Sequence, residues 1–102
     1  MEIMEVNLMK VLTDLTGEVK PETALREVLK DAVEHRLEKI DLKIKRFEQK
    51  YKFHFEEFDE NYRKEEIPDQ YSYEVESDYL EWEGLISRKR HILRVLNRLF
   101  DY

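Results

Sequence analysis

His35, His54 and His91 are the only imidazoles in the chain, and it has no cysteine. Thiol nucleophiles, thiolate metal sites and disulfides are therefore excluded together. His35 sits beside Glu34 and Glu38 on a charged helical flank, and His91 follows Arg88-Lys89-Arg90. Both settings read as solvated side chains rather than as general acids, bases or ligands. No Glu-x-x-His pair occurs, so the di-iron signature that helical bundles can host is missing. Glycine-rich phosphate loops, nucleophile elbows and zinc spacings are equally absent. Carboxylates abound, but on solvated helices such pairs are surface charge. The residues predict no catalytic side chain, no metal site, no cofactor and no enzyme activity.

The recognition chemistry is concentrated elsewhere. Ten of the twelve aromatics lie between Phe47 and Trp82, and residues 56–83 carry twelve acids against only Arg63 and Lys64. An acidic surface studded with rings repels nucleic acid and attracts basic protein surfaces, and Tyr and Trp are frequent interface anchors. The candidate partner-binding set is Phe58, Tyr62, Tyr73, Asp78, Tyr79, Glu81, Trp82 and Glu83. In that set Asp78, Glu81 and Glu83 would steer a partner, and Tyr79 and Trp82 would make buried contact. The alternative is that the rings only cap the end of a helical hairpin.

Those residues have to be positioned by helices. Hydrophobic and charged residues each make up 41% of the 102-residue chain, so almost every position is apolar or charged, the composition of amphipathic helices. Two glycines and two prolines are too few to punctuate a sheet protein. The expectation is a single all-α domain over residues 1–102. Residues 1–17 form an N-terminal segment in which Leu8, Val11, Leu12 and Leu15 share a helical stripe, although a strand over residues 3–8 is the alternative. Pro21 and Glu22 open a long helix over 21–51, whose apolar positions Leu25, Leu29, Val33, Leu37, Ile40, Ile44, Phe47 and Tyr51 step by fours and threes. A short helix covers 55–64, with His54 as a poor cap, and a second long helix covers 75–100, started by Ser77-Asp78 or from about Glu74. Its seam is read as Val75, Tyr79, Trp82, Ile86, Leu93, Leu96 and Phe100, with Lys89 the single charged member.

Charge selects how the two long helices meet. Residues 1–42 carry −4, 43–55 carry +4, 56–83 carry −10 and 84–102 carry +4. In each long helix acids crowd the N-terminal half and bases the C-terminal half, as the macrodipole favours. Folded antiparallel, the basic end of one helix lies beside the acidic start of the other. The predicted fold is therefore an antiparallel, coiled-coil-like hairpin of long helices, with Ile44, Phe47, Tyr79, Trp82 and Ile86 packed near its closed end. The bases of residues 43–52 and 88–98 are accounted for by this pairing better than by phosphate contacts.

Over Lys45-Arg46-Phe47-Glu-Gln-Lys50-Tyr51-Lys-Phe53-His-Phe55-Glu-Glu-Phe58 and Tyr71-Ser-Tyr73-Glu-Val75-Glu-Ser-Asp78-Tyr79-Leu-Glu-Trp82-Glu the chain resembles a family of small archaeal and bacterial proteins regarded as antitoxin-like partners in two-gene toxin–antitoxin modules. The resemblance runs from about Gly17 to Leu96. It departs from the family pattern at Lys52, where a glycine closing the helix is expected, and at His54, where a Ser or Thr cap is expected. What it implies is a toxin-neutralising role by association.

Three readings of function follow. The first is a non-enzymatic, antitoxin-like module that binds a small basic toxin, encoded by a neighbouring gene, through residues 56–83. The second is a self-assembling structural helical protein, and the third, disfavoured by the net charge of −6, is nucleic-acid binding through Arg88 to Arg98. A two-helix body buries little surface alone, so a homodimer is expected. No apolar run reaches the ~20 residues that span a bilayer, and the first residues carry acids where a signal peptide carries bases, which points to the cytoplasm. Abundant Glu and Lys with few Asn and Gln suggest a thermophilic source.

Overall fold

The structure is a computed structural model that describes residues 2–100, with side chains described from residue 7 onward. Four helices follow one another: α1 (Glu2–Thr16), α2 (Pro21–Tyr51), α3 (Phe55–Arg63) and α4 (Tyr73–Phe100). No strand occurs among the described residues, so the N-terminal segment takes the helical alternative.

Each boundary has a local cause. Helix α1 stops where Gly17 turns left-handed at φ 75° and returns its N–H to the Thr13 carbonyl at 2.9 Å. Thr16 reinforces the stop, its hydroxyl donating to the Leu12 carbonyl and accepting the Glu18 N–H. Helix α2 opens on Pro21 with Glu22 in its first turn and ends as Lys52 enters the left-handed region at φ 63°, its N–H bonded to the Glu48 carbonyl at 2.8 Å. A glycine adopts that conformation without a Cβ penalty, and Lys52 is exposed with no ion pair among the described residues. Lys52→Gly is accordingly expected to raise stability by about 0.5–1 kcal/mol, the relief of left-handed strain outweighing glycine's unfolded-state entropy. Urea melts of the two proteins, compared at equal slope, check this; an unchanged or lower midpoint would contradict it.

The start of α3 agrees with the sequence reading, and the start of α4 lies ahead of its predicted bound. His54 stands at the N-cap of α3 in extended geometry, but its side chain makes no capping hydrogen bond. Helix α4 begins at Tyr73, next to the alternative start at about Glu74 and ahead of residue 75 and of Ser77-Asp78. The reason is Ser72, whose hydroxyl accepts the Val75 N–H at 3.2 Å and so satisfies an otherwise unpaired donor of the first turn. Between α3 and α4, buried Gln70 staples the loop by donating to the Tyr62 carbonyl at 2.8 Å and accepting the Ile67 N–H at 3.3 Å.

Helices α2 and α4 run antiparallel. Lys50 meets Glu74 and Asp78, Phe47 stacks on Trp82, Asp41 meets Lys89, and Arg26 donates to the Leu99 carbonyl, so position falls along one helix as it rises along the other. The body is a rod of 58 × 27 × 22 Å. Its core is at the closed end, where Ile44, Phe58, Ile67, Val75 and Trp82 are buried and Ile40, Phe47, Tyr51, Phe55, Tyr79 and Ile86 pack around them.

The seams are not quite those read from apolar residues alone. Leu25 and Leu29 are 45% and 38% exposed. Four-residue steps advance roughly 40° beyond a full turn, so Leu25 lies roughly 80° around α2 from Val33, outside the seam. On α4, Ile92 is buried at 5% whereas Leu93 is 40% exposed. Val75, Asp78, Trp82, Leu85, Lys89, Ile92, Leu96 and Leu99 all fall on one heptad register, and each of these side chains is at least half-buried. Two of its members are charged, and α2 answers both: Asp78 with Lys50 and Tyr51, Lys89 with Asp41 at 2.7 Å.

Candidate functional site

The eight candidate residues separate into three groups. Phe58 and Trp82 are wholly buried, at 0% exposure. Trp82 stacks with Phe47 at 5.4 Å between ring centroids, lies 5.0 Å from Phe58 and receives Phe55 edge-on at 5.5 Å. As the chain folds, these two rings have no surface to offer a partner; their bulk closes the hairpin. Tyr62 and Tyr79 are half-buried and stack on each other at 4.2 Å, and Tyr79 donates its hydroxyl to Asp59. Burial, then that hydrogen bond, pushes Tyr79 up to about 12. Asp78 is also structural: its Oδ2 accepts from Lys50 Nζ at 2.6 Å and from the Tyr51 hydroxyl at 2.5 Å.

Tyr73, Glu81 and Glu83 are exposed, but they do not form one patch. Two residues apart on a helix means roughly 200° of rotation, so Glu81 and Glu83 face opposite flanks of α4. Glu81 borders a groove with Lys43, Arg46 and Lys50 of α2. Glu83 lines the groove of about 650 Å³ between α3 and α4 together with Glu56, Asp59, Leu80 and Gly84 and the two bases Arg63 and Arg90. Leu80 at its lip is 65% exposed, and Tyr73, seven residues earlier and so on the same face of α4, is 87% exposed. Gly84 has nothing within 4 Å of where a Cβ would stand. Leu80, Glu56 and Gly84 are absent from the sequence-derived set; the two-turn spacing of Tyr73 and Leu80 was the available signal.

The charge of this end is incompletely paired. Of the twelve acids in residues 56–83, Asp59 pairs with Arg63, Glu60 with Lys64, and Glu74 and Asp78 with Lys50, which leaves eight in no ion pair among the described residues. His54 is the one histidine with a carboxylate partner, its Nδ1 standing 2.9 Å from Glu48 Oε2, and that hydrogen bond raises its pKa above the ordinary value. The pair is exposed, and among the described residues no third side chain hydrogen-bonds to it. Among the described residues no cluster of three His, Asp or Glu side chains is arranged to hold a metal ion, and no helix is long and apolar enough to cross a membrane.

The model of the uncharacterized protein MJ0235 family matches residues 1–100. The chain belongs to this family. No curated protein and no solved structure matches it. The MJ0235 family is described without an activity or a partner, so membership places the whole hairpin, α1 included, in one family unit and leaves function to the geometry.

Proposed function

We propose that the protein is a non-enzymatic protein–protein interaction module that docks a basic partner on the acidic surface of α3 and α4. The observation that carries this reading is the set of eight acids left in no ion pair among the described residues at the closed end, beside a groove whose lip presents Leu80, with Tyr73 exposed two turns away on the same face of α4. Glu56 and Glu83 supply the field that steers a basic surface, and Leu80 and Tyr73 supply apolar contact. Arg90, two turns along the same face of α4 from Glu83, gives the groove polarity and so an orientation for the bound segment. The antitoxin-like resemblance supplies the partner class, a small basic toxin encoded by the adjacent gene. Nucleic-acid binding is the weaker alternative, because Lys89 of the basic segment is paired with Asp41 and the molecule carries −6 overall.

The test is binding of the adjacent gene's product as a function of salt. Reversal of both Glu56 and Glu83 to Lys is expected to slow association at least about tenfold and to flatten its salt dependence, whereas Leu80→Ala accelerates dissociation. Glu81→Lys, on the other flank, should have a smaller effect on association. Wild-type rates and salt slope in the Glu56/Glu83 variant would reduce the acidic surface to a solvated face.

A further inference from the structure

Most of the exposed large aliphatic side chains gather at the opposite end of the rod from the aromatic core. On α1, Leu8, Val11 and Leu15 are 60%, 59% and 72% exposed. Their spacing of three and four residues places them on one ridge, the a/d pattern of a helix that pairs with another helix. Leu12, the fourth member of the stripe, is the one that turns inward and is half-buried. Leu25 and Leu29, displaced from the α4 seam, are exposed on the adjoining part of α2.

We infer that the α1 ridge is the seam of a two-fold homodimer, in which Leu8, Val11 and Leu15 of one copy pack against the same residues of the other. Area is the first argument. The chain exposes 8074 Å², whereas a globular monomer of its mass exposes about 6,200 Å². The excess, about 1,900 Å², is more than the roughly 800 Å² that each partner contributes to a stable interface. Charge is the second argument and decides the occupant. At this end residues 1–30 carry six acids and four bases and the last turns of α4 add Arg94 and Arg98, so it is neutral in a chain of net −6. A strongly charged partner has nothing to recognise there, and two like-charged copies approach with least repulsion where local charge is zero. Each copy is 58 Å long with its acidic end away from α1, so antiparallel pairing of the two α1 helices keeps the acidic ends apart by much more than the roughly 8–10 Å screening length. Neutral, apolar and self-complementary is the character of an isologous interface.

Sedimentation equilibrium of the full chain should report twice the 12.6 kDa mass at micromolar concentration. The double variant Val11→Glu with Leu15→Glu should sediment as a monomer with unchanged helicity, since both side chains are exposed. A second measurement does not depend on how that variant folds. The chain has no cysteine, so Val11→Cys, close to the two-fold axis, should give a covalent dimer on mild oxidation, and Asp69→Cys at the acidic end should not. Three results would each overturn the inference: a wild-type monomer up to about 100 μM, a dimer that survives the double variant with its helicity intact, or cross-linking through Asp69→Cys alone. None of them bears on the groove between α3 and α4, which is tested by its own variants.

Discussion

Trp82→Ala is expected to destabilise the protein by about 3–5 kcal/mol, the range for removing a fully buried large aromatic side chain. The ring is 0% exposed and touches helix α2 through Phe47 and Tyr51 and helix α3 through Phe55 and Phe58. With Tyr51 and Tyr79, it fastens α3 to the hairpin. A domain of this kind has about 5–15 kcal/mol in total, so the variant should lose a large share of its cooperative unfolding transition. Trp82→Phe provides the contrast. It gives up part of the ring's area but also removes the indole N–H, which has no acceptor among the described residues and costs about 1–3 kcal/mol if left unpaired. The conservative change should therefore cost well under half as much. Thermal and urea melts followed by circular dichroism separate the outcomes. A near-native melt for Trp82→Ala would mean that the ring is not a core residue and would return it to the set of surface anchors.

Why Trp82 reads as an interface residue in the sequence and as core in the structure is a question of the connector. Periodicity fixes α2 and α4 because each runs for many turns, and Pro21 and the end at Tyr51 mark α2 at the residues observed. The segregated charge correctly selects the antiparallel arrangement, seen in Lys50 against Asp78 and Asp41 against Lys89. What spacing cannot provide is the angle at which α3 folds back after the left-handed Lys52. That angle decides which side of the aromatic segment is covered: Phe58 and Trp82 go inside, Tyr62 and Tyr79 stack at the margin, and Tyr73 stays in water. Other features were legible with a stricter count. Counting apolar positions only passes over Asp78, although it occupies the same heptad register as Trp82 and Lys89. The two-residue separation of Glu81 and Glu83 already sets them on opposite flanks.

The charged members of that register lead to the second large effect. Asp78→Ala should cost about 2 kcal/mol, in the range of a charge-assisted hydrogen bond removed from a half-buried site. Lys50 is 43% exposed and can return to water, so its part is screened; Tyr51 is half-buried and loses the acceptor of its hydroxyl. Asp78→Asn keeps an acceptor without the charge and should cost less. The same contact has a signature at high pH. Burial first, and the Asp78 hydrogen bond second, push Tyr51 up to about 12 from an ordinary 10.0. Because the folded value exceeds the unfolded one, the neutral phenol stabilises the fold fully below pH 10, and that stabilisation is lost as pH rises toward 12. Tyr79, held at about 12 by burial and by Asp59 on a different helix, loses its own contribution over the same interval. The melting temperature should therefore fall steeply across that window. In Asp78→Asn the contribution of the carboxylate to Tyr51 disappears while burial stays, so one phenolate transition, followed by ultraviolet absorbance, should move down and the Tyr79 transition should stay in place. Both transitions unmoved would show that Asp78 does not hold the Tyr51 hydroxyl, and Asp78 would then join the two long helices through Lys50 alone.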